Sequence, residues 1–295
     1  MSIIRSRAIE APGIVIRDVE GVSELREVET LQKDVWGCED LDVVPLTMLI
    51  ASGEVGAVLI GAYDGAALCG FVYGFPGYEN GHVTHHSHML AVRPSYRNFN
   101  LGYKLKLAQR ERVLAQGINR ITWTFDPLQS LNAYFNFGKL GVIADTYKID
   151  FYGEATSSFL HQIGTDRLWV TWQLYSQRVN ERLKNEKKES RFASEGIPSL
   201  VQVGNSDKPV RNDSTKILTQ EHLLIEIPSD INALQNKKPE LAVEWREATR
   251  WAFTRAIAAG YLVEEFYRPA REDQTVGAYV LRHRKKLKTL GRPQE

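Results

Sequence analysis

The sequence predicts an α+β (mixed α/β) fold with a central mixed sheet flanked by helices. Short β-rich runs alternate with segments whose apolar residues recur every three or four positions, the two periods that separate strands from helices. Breakers such as Asp64-Gly65 and Asp126-Pro127 fall between these runs. The composition, 43% hydrophobic and 25% charged, is that of a globular chain. At 295 residues the chain is about twice a typical domain, so a second unit is expected.

The elements follow in order. Ile14 to Arg17 alternates as a strand, and Val22, Leu25, Val28, Leu31 and Val35 mark one face of a helix that Gly37 closes. A shorter helix covers Leu46 to Ala51. Val55 to Tyr63 and Leu68 to Phe75 read as a hairpin turning at Asp64-Gly65. Thr84 to Val92 is the next strand, ending at Arg93-Pro94, and Leu101 to Ala115 is a helix stopped near Gly117. Arg120 to Phe125 is β-rich, Ser130 to Leu140 helical, and Tyr147 to Tyr152 and Arg167 to Leu174 are strands. Residues 1–178 are therefore expected to form one domain. Residues 179–216, rich in Lys, Glu, Asn and Ser, read as a linker. Residues 217–295 then give strand, helix, strand, strand, with the helix from Pro239 to Ala259. This C-terminal unit repeats the order of elements from Arg120 onward and is read as a degenerate half-repeat. Trp245, Trp251 and Phe253 on its helix read as core.

Charge and composition exclude several classes. With 37 Lys+Arg against 36 Asp+Glu the net charge is +1, too small an excess for a dedicated nucleic-acid binder. The basic run Arg282, Arg284, Lys285, Lys286 and Lys288 reads as a solvated terminus. Cys38 and Cys69 make neither a disulfide framework nor a metal pair. The longest apolar stretch, Val55 to Ala62, is far below the roughly 20 residues that cross a bilayer. A soluble, cytoplasmic protein without a secretory leader is the expectation.

The most informative segment is HMLAVRPSYRNFNLGYK, His88 to Lys104. A strand ends at Val92 and a helix begins near Leu101, with Arg97, Asn98, Asn100 and Gly102 between and just beyond. A helix start offers unpaired N–H groups and partial positive charge to an anion, and Gly lets the anion approach. Spacing alone leaves a phosphate site and a plain strand-to-helix turn both open.

The segment resembles the acetyl-CoA loop of the GNAT superfamily of N-acetyltransferases, whose pattern is Gln/Arg-x-x-Gly-x-Gly/Ala after a strand ending in Val-x-Pro. Arg97 matches the first position and Gly102 the last, and Asn100 replaces the middle Gly. A second patch, Asn132 to Val142 (NAYFNFGKLGV), is similar to the family's Asn…Ala…Tyr…Gly-Phe helix. The resemblance extends over roughly residues 14 to 175. It implies a GNAT-like sheet and acetyl-CoA, or another acyl-CoA, as cofactor. The backbone of Leu90, Ala91 and Val92 would pair with the pantetheine arm. Arg97 and the amides of Asn98, Phe99, Asn100, Leu101, Gly102 and Tyr103 would hold the pyrophosphate, and Asn132 would lie along the pantetheine. Lys104 and Lys106 could add positive charge there, but helix lysines more often read as solvated surface.

Acyl transfer to an amine needs a base, an oxyanion donor and an acid for the leaving thiolate. The resemblance implies a Tyr acid four residues before Gly141, where this chain has Phe137, so Tyr134 is the substitute. Four of the seven histidines fall within Gly81 to His88 (GHVTHHSH), and on a strand His82, His86 and His88 share a face while His85 takes the other. His86 or His88 is the candidate base, and Glu79 in the preceding loop is the carboxylate alternative. No carboxylate or thiol lies among the histidines, so no metal is expected. The expected partner is a small-molecule or peptide amine, with no membrane, and a homodimer is contemplated. A non-catalytic CoA-binding or interaction protein that keeps the fold is the competing reading.

Overall fold

The computed structural model describes residues 13–153, 163–184, 196–268, 270–271 and 274–284. They form two compact units, one running to Ile118 and the other starting at Asn119, a boundary inside the segment read from sequence as one domain.

In the first unit β1 (Ile14–Asp18), β2 (Val58–Asp64), β3 (Ala67–Glu79) and β4 (His82–Val92) follow one another in an antiparallel sheet. Helices α1 (Gly21–Trp36) and α2 (Leu46–Glu54) cover one face. Val28, Leu31, Leu49, Tyr63, Phe71, Tyr73 and Ala91 make the core there, with Phe75 and Met89 packed at its margin. Strand alternation sends the intervening residues to the other face, where α3 (Leu101–Ala115) lies. The helical stripe of α1 ends as its sequence predicts, at Gly37 with φ +65°.

Two strand readings are corrected. Val55 is not in a strand, because α2 runs on to Glu54 and β2 begins at Val58. The β2–β3 loop is Gly65-Ala66, one residue later than Asp64-Gly65, since Asp64 pairs with Ala67. More consequential is the length of β3, which continues to Glu79 and turns into β4 through Asn80-Gly81. Both turn residues have positive φ, +50° and +84°, as a two-residue hairpin turn of this sequence requires.

The second unit has the sheet order β5 (Arg120–Phe125), β7 (Arg167–Gln173), β6 (Ile143–Lys148), β11 (Tyr261–Tyr267), β13 (Gln274–His283), β10 (His222–Pro228), β8 (Ser199–Val203), β9 (Pro209–Arg211). The two-residue β12 (Ala270–Arg271) pairs with β13. Helix α4 (Ser130–Ala133) runs into a π-helical stretch, Tyr134–Leu140, between β5 and β6. Helices α6 (Ile231–Lys237) and α7 (Pro239–Ala258) lie between β10 and β11.

The same connection therefore occurs twice: strand, helix, strand, strand, with the last strand between the other two. The two sets meet where Ala144 pairs antiparallel with Val263. Three residues before each of these stands a left-handed glycine, Gly141 at φ +75° and Gly260 at φ +90°. Residues 179–216 are not simply a linker. They include the end of α5 (Gln177–Leu183), β8, which pairs parallel with β10, and β9. Trp245 and Phe253 are core, whereas Trp251 is partly exposed beneath Arg211 and Arg255. Of the basic run, Lys285, Lys286 and Lys288 lie outside the described residues. Among the described residues no helix is long and apolar enough to cross a membrane.

Candidate functional site

Strand β4 carries the histidines, and a bulge decides how they point. Gly74 of β3 pairs with Ser87 but Tyr73 pairs with Met89, so His88 is left out of the ladder. His86 and His88 end on the same face, as the alternation predicts. Phe75 lies 5.8 Å from the His86 ring and 5.9 Å from the His88 ring, and the two imidazoles are 6.4 Å apart. Tyr73 meets His88 edge-on at 6.2 Å. His88 is exposed and His86 half-buried. Burial, with help from His88 and Lys106, pushes the His86 imidazole down to about 4. Desolvation on the side that faces Tyr73 and Phe75 lowers His88 as well. Both rings are thus neutral at pH 7 and can accept a proton.

Glu79 is not brought to this cluster. It is the last residue of β3 and pairs with His82, while Phe75 pairs with His86. Four strand residues separate the two places, about 13 Å along the strand.

Beyond Val92 the chain makes a short 3-10 turn, Pro94–Phe99, and enters α3 through Asn100, which sits in the left-handed region at φ +58°, ψ +26°. Asn is among the residues that adopt this conformation most readily, so it can stand where the loop pattern has Gly. Lys104 N–H donates to Asn100 O at 3.2 Å and opens the helical ladder. The amides of Leu101, Gly102 and Tyr103 precede that bond, and no side chain caps the helix. Among the described residues a Cβ on Gly102 would meet only Leu90 Cδ2, at 3.8 Å, so neither φ nor packing against them demands glycine there. The helix start is open to an approaching anion. Arg97 is exposed beside it, with Nε toward the Val92 carbonyl at 3.4 Å. Asn98 is exposed, and Phe99 packs on Tyr96. Leu90, Ala91 and Val92 pair with Val72, Phe71 and Gly70 along β3.

Lys106 is a correction. It is not a solvated helix lysine but a buried one facing β4, its amine donating to Ser87 Oγ at 2.7 Å. Burial lowers its pKa to about 7. His85, which takes the opposite face from His86 as expected, is fully buried and pushed down to about 3. The period of α3 held the signal, since Leu101, Leu105, Gln109 and Val113 share a stripe with Lys106, and a charged residue inside such a stripe has to find partners.

Asn132 and Tyr134 belong to the second unit. Asn132 is exposed on α4. Tyr134 is 43% exposed and opens the π-helical stretch, its ring lying over Gly138, where a Cβ would come within 3.0 Å of it. Phe137 is fully buried, edge-on to Phe125 and Tyr279, and is core. Asp126 also has a structural place: it accepts both guanidinium nitrogens of Arg246 and the Leu128 N–H. Among the described residues no three metal-binding side chains come together.

Residues 24–139 match the model of the Acetyltransferase (GNAT) family. No curated protein matches the sequence significantly. Among solved structures the chain is similar to the ribosomal-protein-S18-alanine N-acetyltransferase of Escherichia coli, at 11% identity over 55% of this chain and 94% of that one, TM-score 0.44. It is similar to the aminoglycoside 6′-N-acetyltransferase of Enterococcus faecium at 16% identity, over 55% and 98% of the two chains, TM-score 0.43. A Thermoplasma acidophilum N-acetyltransferase solved with coenzyme A is 13% identical over 55% and 99%, TM-score 0.39. GNAT acetyltransferases use acetyl-CoA, and the open, uncapped start of α3 suits its pyrophosphate. Residues 24–139 are thus similar to a GNAT-family acetyltransferase domain.

Proposed function

We propose that the protein is an acetyl-CoA-dependent N-acyltransferase in which the amine attacks directly, with both substrates bound together. The observation that carries this reading is the course of one strand and its continuation. Strand β4 presents His86 and His88 on one face and leads through a left-handed Asn100 into an uncapped helix start.

The amides from Asn98 to Tyr103 hold the pyrophosphate, and Arg97 adds charge. Bound acetyl-CoA supplies the thioester carbonyl. His88 accepts the proton of the incoming ammonium: it is the more exposed imidazole, and it sits at the bulge. His86, held at about 4, is the weaker base at neutral pH. A backbone N–H toward the Leu90–Val92 end of β4 is the oxyanion donor. Tyr134 is the candidate acid on its phenol chemistry alone. Phe75, partly exposed beside the histidines, favours an amine, on a small molecule or a peptide, that carries an apolar or aromatic group.

The test is acetyl transfer from acetyl-CoA to a panel of amines, followed by mass spectrometry. Acetylated product that depends on His88 supports the reading. Phe137, buried where the resembled family places its acid, favours one rival, a module that binds CoA without turnover. That rival requires binding of acetyl-CoA with no product from any amine.

A further inference from the structure

The face of β4 opposite His86 and His88 is held by a buried polar chain. Lys106 Nζ donates to Ser87 Oγ at 2.7 Å and to Gln109 Oε1 at 3.2 Å, and Gln109 Nε2 lies 3.3 Å from His85 Nε2. The four side chains are almost wholly enclosed: Lys106 is 2% exposed, Ser87 4%, and Gln109 and His85 0%. His85 Nδ1 has no partner among the described residues. Gly74 of β3 makes room for the chain, since a Cβ there would fall 2.4 Å from His85 Nε2 and 2.9 Å from Gln109 Nε2. Three elements, β3, β4 and α3, are therefore shaped around one set of polar groups.

Burying an amine, an amide and an imidazole is unfavourable compared with apolar side chains of similar size. What the arrangement gains is directional. Hydrogen bonds fix His85 and Ser87, the residues that alternate with His86 and His88 along the strand, immediately before the place where β3 and β4 lose register. A bulge is a local irregularity that can settle in more than one register, and pinning its back face selects one.

We propose that Lys106 is a positioning residue for the transfer site: through Ser87, and through Gln109 and His85, it holds the bulged stretch of β4 in the register that presents His86 and His88 together. The proposal rests on the reading of those histidines as the proton-accepting end of the site.

The experiment compares Lys106→Met and Ser87→Ala with the unaltered protein by three readouts. These are the imidazole NMR signals and titration midpoints of His86 and His88 in the free protein, the thermal midpoint, and kcat against KM. The expected result is a folded Lys106→Met protein whose His86 and His88 signals shift or double. Its kcat falls about tenfold, the scale of a small misplacement, while KM for acetyl-CoA stays within about twofold. Ser87→Ala moves the same readouts in the same direction. Unchanged imidazole signals with kcat within about twofold of the unaltered protein would overturn the proposal. If Lys106→Met does not fold, Ser87→Ala decides by the same criteria. If the unaltered protein acetylates no amine, the functional reading fails, and the imidazole signals alone decide whether Lys106 positions the histidines.

Discussion

A Cβ placed on Gly102 would have Leu90 Cδ2 as its nearest neighbour, at 3.8 Å, an ordinary contact. Glycine inside a helix is less stable than alanine by roughly 0.5–1 kcal/mol, so folding alone favours Ala at this position. Gly102→Ala is accordingly expected to leave the free protein as stable or up to ~1 kcal/mol more stable. The same methyl stands where the pyrophosphate would approach the helix start. Acetyl-CoA affinity should fall, and Gly102→Val should lower it about tenfold or more, since crowding displaces charge-assisted bonds to the amides. Calorimetry on the two variants checks both signs. Unchanged affinity in Gly102→Val would remove the phosphate-loop assignment.

Replacing His88 by Gln removes the proton acceptor but keeps a polar side chain of similar reach. The expected effect is a fall in kcat of about 100-fold, typical of a lost general base, with KM for acetyl-CoA unchanged. Steady-state kinetics at pH 7 and 9 measure it. A loss shared equally by His88→Gln and His86→Gln would assign the role to the pair.

The depressed histidines make stability depend on pH in a stated direction. His85 and His86 have folded values of about 3 and about 4, against an ordinary imidazole value of about 6.5. Below about pH 6.5 the unfolded chain takes up protons that the folded chain does not, so stability is full above that point and falls toward the folded values. Urea midpoints should therefore drop between pH 7 and 5, above most carboxylate titration, and His86→Gln should flatten the decline. A midpoint constant across that window would contradict the burial of these rings.

In the second unit, Arg246 and Asp126 form a two-pronged pair at 2.8 and 2.7 Å, exposed by only 3% and 9%. Removing one partner of such a pair leaves a buried charge and costs about 3–5 kcal/mol, whereas removing both costs less. Arg246→Met should lose that much by urea unfolding, and adding Asp126→Leu should recover part of it. Additive losses would show that the pair is uncoupled.

Helices α1, α3 and α7 were legible because their apolar spacing is regular and a glycine, Gly37, Gly117 or Gly260, ends or closely follows each of them. The turn at Arg97 to Gly102 was legible as a turn because it combines a strand end, an Asn that tolerates the left-handed region and a helix start. Glu79 lies at the end of β3, not in a loop, because Asn80-Gly81 is a two-residue hairpin turn that lets the strand run on past Phe75. Lys106 departs from the usual exposure of its residue type because it sits on the buried helical stripe of α3. The bulge at His88 has no local sequence signature, for it arises from the pairing of β4 with β3. Strands β8 and β9 were lost in a polar segment because a short strand declares itself through its partner, here β10, more than through composition.

The measurement closest to the central claim is acetyl transfer itself, with acetyl-CoA and a panel of aliphatic, aromatic and peptide amines, read by product mass. The account expects an acetylated amine whose formation needs His88 and is weakened by Gly102→Val. Calorimetric binding of acetyl-CoA with no acetylated product from any amine would contradict it and leave a CoA-binding module in its place.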